Sequence, residues 1–169
     1  MRFAMLLVAL AALTAFQLTQ SESTRKEFPI SQQDIIKIVD RHNYWRAEVN
    51  VDPIEWSDEM AEVAAKWARE LKKDGCAFYH SDYGFGENLW KGTTGYYSIE
   101  EAIDSWASEK ADYNYSSNKC RRGKVCGHYT QIVWANTQKV GCAQVTCDGY
   151  TIWVCEYDPP GNWVGQRPY

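Results

Sequence analysis

An α+β fold is what the sequence predicts, from three observations. Its first part carries apolar stripes at helical spacing opened by side-chain caps, its last part carries β-rich stretches around an Asp-Gly turn, and six cysteines are spaced to tie the two together. Helices followed by antiparallel strands is the order of an α+β domain and not the alternation of an α/β one. Each element has its own local reason. Ser31 with Asp34 forms a capping box, and Ile35, Ile38, Val39, His42 and Trp45 then recur every three or four residues until Pro53 ends the segment. Ser57 caps a second helix whose stripe, Met60, Val63, Ala64, Trp67, Ala68 and Leu71, stops at Gly75. Residues 76–97, with glycines at 84, 86, 92 and 95, read as irregular chain. Ser98 and Glu101 box a third helix that turns Ile99, Ala102, Ile103 and Trp106 inward. Residues 131–135, 140–147 and 150–157 read as strands, and Pro159-Pro160-Gly161 ends the last. Without internal repeats or linkers, the chain is expected to form one domain over residues 28–169.

Composition narrows the class of partner. The 169 residues are 45% hydrophobic and 24% charged, as in ordinary globular proteins, and 18 Lys and Arg against 22 Asp and Glu leave a formal charge of −4. No basic run exceeds Arg121-Arg122, so nucleic acid is not expected as a partner. Eight Trp, eleven Tyr and five Phe are many for this length, and they point to a dense core, an aromatic groove, or both. Arg2 precedes an apolar run from Phe3 to Phe16 interrupted only by Thr14. That run is shorter than the roughly 20 residues a spanning helix needs, so residues 1–21 are expected to be an export signal and the mature protein to be extracellular, not transmembrane. Asn114-Tyr-Ser116 is a glycosylation sequon, consistent with export.

All six cysteines lie in the part expected to be exported, where an even number implies three disulfides. In Cys147-Asp148-Gly149-Tyr150 a two-residue turn makes strand partners sum to 297, so Cys142 faces Cys155 in a non-hydrogen-bonded pair, the closer kind. Cys147 is an odd number of residues from Cys142 and points to the other sheet face. Cys120 and Cys126 suit a short local loop, which leaves Cys76, after the second helix, for Cys147. Metal thiolates are disfavoured by the lack of any C-x-x-C pair.

Four motifs stand in order: GEN at 86–88, WASE at 106–109, GHYTQIVWANT at 127–137 and CEYDPPGNWVGQRPY from 155. Together they resemble the CAP superfamily, nearest the plant pathogenesis-related proteins of family 1. The resemblance implies a three-layer α-β-α sandwich with an antiparallel central sheet and the same three disulfides. It also implies that His80, Glu87, Glu109 and His128 form a cavity tetrad, that the segment of Trp90, Tyr96 and Tyr97 corresponds to a mobile loop associated with sterol binding, and that residues 159–169 match a segment taken to be released as a signalling peptide. Two departures are Trp153, bulkier than usual, and Glu156, where the family usually has Asn or another polar residue. Both are expected to stand away from the tetrad, Glu156 adding a charge beside the C-terminal segment.

Residue types alone leave the chemistry open. Only three histidines exist, and His42 falls on the inward stripe of the first helix, where a core or capping role is expected. His80 and His128 lie outside any stripe; two imidazoles and two carboxylates can hold zinc, perform acid-base work, or form a polar network that shapes a groove. The chain has no H-E-x-x-H helix and no G-x-S-x-G elbow, which makes an enzyme the lesser expectation. A glycine-jointed aromatic lip at 90–97 suits a flat apolar ligand, and the tail is expected to pack as an irregular cap through Trp163. The leading expectation is a secreted, monomeric, defence-related antimicrobial protein that binds sterol or a related lipid, with microbial or host surface proteins as further partners. The alternatives are a zinc-assisted hydrolase using His80 and His128, and a peptide precursor.

Overall fold

A computed structural model describes residues 30–169; the expected export signal lies outside the described residues. Helix α1 (Gln32–Ala47) starts at the Ser31/Asp34 capping box and buries Ile38, His42 and Arg46. Ile35, Val39 and Trp45 are only half-buried, so the true inward line continues through Arg46. Strand β1 (Glu55–Trp56) leads into α2 (Asp58–Lys73), capped by Ser57 and buried along Met60, Ala61, Ala64, Ala65, Trp67, Ala68 and Leu71. Strand β2 (Gly86–Thr93), helix α3 (Ile99–Ala107) with its Ser98/Glu101 capping box, and a 3-10 turn (Ser108–Asp112) follow. The small hairpin β3 (Tyr113–Asn114) and β4 (Lys119–Cys120), helix α4 (Gly127–Ile132), and the long strands β5 (Lys139–Cys147) and β6 (Tyr150–Asp158) complete the set.

The main sheet runs β1-β5-β6-β2. Its three long strands are antiparallel, but β1 pairs with β5 in parallel, so the sheet is mixed and not wholly antiparallel. Pleating separates two cores. Ile152 and Val154 pack with the α2 stripe, whereas Trp153, Cys155 and Tyr157 pack with Ile38, Ile103, Trp106 and Ile132 from α1, α3 and α4. Helices therefore cover both sheet faces. Gly141 of β5 leaves the space that Ser57, Met60 and Ala61 of α2 occupy, since a Cβ there would overlap their backbone. Cys142 faces Cys155 as the turn arithmetic requires, and the bond closes at a Cα separation of 4.1 Å. Cys76–Cys147 joins the end of α2 to the sheet across 71 residues, and Cys120–Cys126 closes a short loop.

Two segments differ from expectation. Residues 131–135 are not a strand: Gln131 and Ile132 end α4, and the chain then turns, Trp134 and Thr137 donating backbone N–H groups to Gln131 O and Trp134 O. A continuous buried run has no face to distinguish, and here it belongs to a helix buried from Tyr129 to Ile132. Residues 76–97 are not irregular throughout, because 86–93 pair along their whole length with β6. Glycines 86 and 92 suit the strand because a Cβ would strike the Gln131 and Trp90 side chains.

Candidate functional site

Strand β2 lies at the edge of the sheet and assembles the site. Glu87, its second residue, is 5% exposed at the side chain and accepts from His80 Nδ1 and from the backbone N–H of Ser81, at 3.2 Å to each oxygen. His80 itself is 60% exposed. The hydrogen bond to Glu87 raises the His80 pKa above its ordinary 6.5, against the opposing effect of partial burial. The second pair is made by α4. Its N-cap Cys126 offers no side-chain acceptor, and Glu109, from the 3-10 turn, takes that place by accepting from the backbone N–H groups of His128 (3.0 Å) and Tyr129 (3.2 Å). The same carboxylate accepts from His128 Nδ1 at 2.7 Å, while Trp106 stacks on the imidazole with ring centroids 6.1 Å apart.

The structure thus brings His80 to Glu87 and His128 to Glu109, as two dyads joined through β2. Asn88 supplies the joint, donating from Nδ2 to His128 O (3.2 Å) and to the Tyr157 hydroxyl (3.2 Å). Tyr157 in turn meets His42 Nε2 at 2.9 Å, and His42 Nδ1 meets Ile38 O. His42 is a fully buried core histidine whose pKa desolvation lowers to about 4, so it stays neutral. Asn88, Trp106 and Tyr157 were not among the expected site residues, although each stands inside one of the motifs, in GEN, WASE and CEYDPPG.

Glu156 corrects an expectation. It stands directly opposite Glu87 in the strand register, fully buried, with no hydrogen-bond partner for either carboxyl oxygen. Burial, and then the neighbouring Glu87, push its pKa up to about 9. It is a neutral acid against the site at pH 7, not a charge beside the tail.

The aromatic lip is also redrawn. Trp90 is a half-buried strand residue opposite Trp153, and only beyond Thr93 does the chain leave the sheet. Tyr97 meets Trp90 edge-on at 5.2 Å, and Tyr96, 78% exposed, leans on Tyr97 at 5.7 Å. The tail is not held through Trp163, which is 56% exposed. Its anchors are Pro168, buried and accepting from Ala135 N–H at 2.7 Å, and Tyr169, stacked on Tyr115 at 4.6 Å. Asn162 adds a hydrogen bond to Gly127 O at 2.8 Å. Asn114 is exposed at the end of β3.

Both dyads spend Nδ1 on a carboxylate and leave Nε2 as the available ring nitrogen, the orientation of an imidazole prepared for a metal or a proton. Among the described residues, no group of three or more His, Cys, Asp or Glu side chains stands in metal-holding geometry. His80 and His128 are zinc-type donors by chemistry, but each stands paired with its own carboxylate and neither belongs to a metal-holding group among the described residues.

With fold and site in hand, comparison assigns the class: residues 39–157 match the CAP, cysteine-rich secretory protein, family, and the chain belongs to it. It is 45% identical over 141 residues to pathogenesis-related protein 1A of Nicotiana tabacum, covering 82% of this chain and 81% of that one. With a pathogenesis-related protein of PR-1 type from Sambucus nigra it shares 40% identity over 169 residues, 99% of this chain and 95% of the other. The solved structure of NaASP2 with Zn2+ superposes with a TM-score of 0.70 at 24% identity, covering 86% of this chain and 88% of that one, a likeness of fold. No helix among the described residues is long and apolar enough to cross a membrane.

Proposed function

We propose that this is a secreted, defence-related antimicrobial protein that binds sterol or a related lipid along the aromatic end of β2. The names of its plant relatives support the defence role, and the family's description and three disulfides support export with residues 1–21 removed. One observation carries the ligand class: Trp90, Tyr97 and Tyr96 form a continuous run of aromatic contacts from the half-buried strand to open solvent. Aromatic area of that kind binds flat apolar molecules with few polar contacts. Competition binding with labelled cholesterol or ergosterol tests it. Saturable binding is expected, weakened on the order of tenfold by Tyr96→Ala, whose position is too exposed to endanger folding. Absence of saturable binding by the unaltered protein refutes the reading.

A second reading rests on the free Nε2 atoms of the two dyads. His80 and His128 would hold zinc, which supplies Lewis acidity and an activated water when bound. Glu87 and Glu109 orient the imidazoles through Nδ1, and Glu87 or Glu109 would serve as general base in a hydrolase. Equilibrium dialysis against zinc is the check: uptake must disappear in the His80→Ala, His128→Ala double variant. Lipid binding that survives this variant makes the dyads a scaffold for the groove. The tail is a third candidate, since its release from residue 159 onward would give a peptide whose Pro168 and Tyr169 contacts must first open. Mass spectrometry of the secreting tissue's fluid must find residues 159–169 as a free fragment.

A further inference from the structure

Charge is unevenly distributed along this acidic chain. From Tyr113 to Cys147 there is no Asp or Glu, while Lys119, Arg121, Arg122 and Lys124 fall within six residues, and the tail from Pro159 to Tyr169 holds Arg167 and no acid. The fold brings these segments together. Arg167 donates to Tyr115 O (3.2 Å) and Ser116 O (3.0 Å), and Asn118 Nδ2 donates to Gln166 O (2.8 Å). All five cations are exposed. Asp112 pairs with two of them, Arg121 at 3.2 Å and Lys124 at 3.9 Å, so the face keeps a positive excess.

Two tight turns project from this face beside a cavity of about 320 Å³ bordered by Cys120, Cys126, Trp134, Trp163 and Gly165. In one, Lys124 N–H donates to Arg121 O with Gly123 at φ +77°; in the other, Gln166 N–H donates to Trp163 O with Gly165 at φ +83°. The first turn is cationic. The second is apolar at its tip: the Val164 side chain is fully exposed, and Trp163 is more than half exposed with its indole N–H already given to Pro160 O. Val125, 61% exposed, stands beside the cationic turn. A fully exposed valine next to an exposed tryptophan contributes nothing to the core, and its turn has already satisfied its closing backbone hydrogen bond, which lowers the cost of leaving water.

We propose that this face docks on the surface of an anionic phospholipid bilayer. The Trp163–Val164 turn enters the headgroup-acyl boundary, and Lys119, Arg121, Arg122, Lys124 and Arg167 lie over lipid phosphates. A lipid surface fits better than an acidic polysaccharide because a polysaccharide offers hydroxyl and carboxylate groups to the cations and no apolar medium for the valine. The proposal is independent of sterol capture by the aromatic lip.

Co-sedimentation of the disulfide-bonded protein with sterol-free vesicles tests it, comparing phosphatidylcholine alone with phosphatidylcholine containing phosphatidylserine. Binding is expected only to the anionic vesicles and is expected to weaken with added salt. Replacing Arg121, Arg122 and Lys124 together by Gln lowers partitioning on the order of 100-fold, about fivefold for each cation. Val164→Asp lowers it about tenfold or more, at a position where the fold is indifferent to the change. No binding, equal binding to neutral vesicles, or anionic binding unaffected by Val164→Asp overturns the proposal. Retention on polygalacturonate without vesicle binding also overturns it and assigns the cations to an acidic glycan. Sterol is absent from every arm, so failure here leaves the lip reading standing.

Discussion

Replacing Glu156 by Gln keeps the side chain's shape and removes its proton chemistry. In the folded protein this carboxyl is fully buried opposite Glu87, and burial first, then Glu87, push its pKa up to about 9 against an ordinary 4.5. An acid whose folded pKa is raised makes the native state bind more protons than the unfolded chain, so stability falls as pH rises between the two values. Each pH unit in that window costs about 1.4 kcal/mol, and from 4.5 to 7 the loss reaches about 3 kcal/mol. Glu156→Gln escapes this loss. The variant is expected to be more stable than the parent by about 3 kcal/mol at pH 7, with the gain shrinking toward zero near pH 4.5. His80, with its raised pKa, contributes stability that is present below pH 6.5 and lost as pH rises through its folded value. His42, held neutral, loses stability for the fold as pH falls from 6.5 toward about 4. The His42 contribution is common to the two proteins and cancels in the difference, whereas that of His80 runs through Glu87, which faces Glu156. Urea unfolding of the oxidised proteins across this pH range gives the result directly. Parallel stability curves, or a variant less stable at neutral pH, refute the assignment of Glu156 as a buried neutral acid.

Three further outcomes are expected. Arg46 donates to the carbonyls of Asp52, Ile132, Trp134 and Thr137, so Arg46→Met orphans four acceptors and should cost about 3–5 kcal/mol, read as a lower urea midpoint at unchanged slope. Replacing both Cys76 and Cys147 by Ala opens a 71-residue loop and should cost about 4 kcal/mol in the chain-entropy account, measured the same way. The His80 imidazole should titrate by NMR above the ordinary 6.5 and return toward it in Glu87→Gln, because the hydrogen bond that favours the cation is weakened.

Elements with local causes were legible in the sequence. The Ser31/Asp34 and Ser98/Glu101 capping boxes are satisfied within one turn, the α2 stripe follows from 3.6-residue periodicity, and the Cys142–Cys155 bond follows from a two-residue turn and a two-residue pleat. The candidate site residues His80, Glu87, Glu109 and His128 were named through the family resemblance. Their arrangement as two dyads was not, since it depends on a carboxylate from one turn capping a helix begun 18 residues later.

What the tertiary structure alone decided shares one physical origin, pairing between residues distant in sequence. Strand β2 carries glycines that disfavour a strand locally, and its pairing with β6 across more than 50 residues overrides them. The run after Gly127 is apolar enough for either a strand or a helix, and burial against α3 and the tail settles it as α4. Glu156 reads in sequence as one more surface charge; only the register that sets it against Glu87, beneath a helix packed on Gly141, makes it a neutral part of the site. Local hydrogen bonds and periodicity are written along the chain, whereas burial and register exist only once the chain has closed on itself.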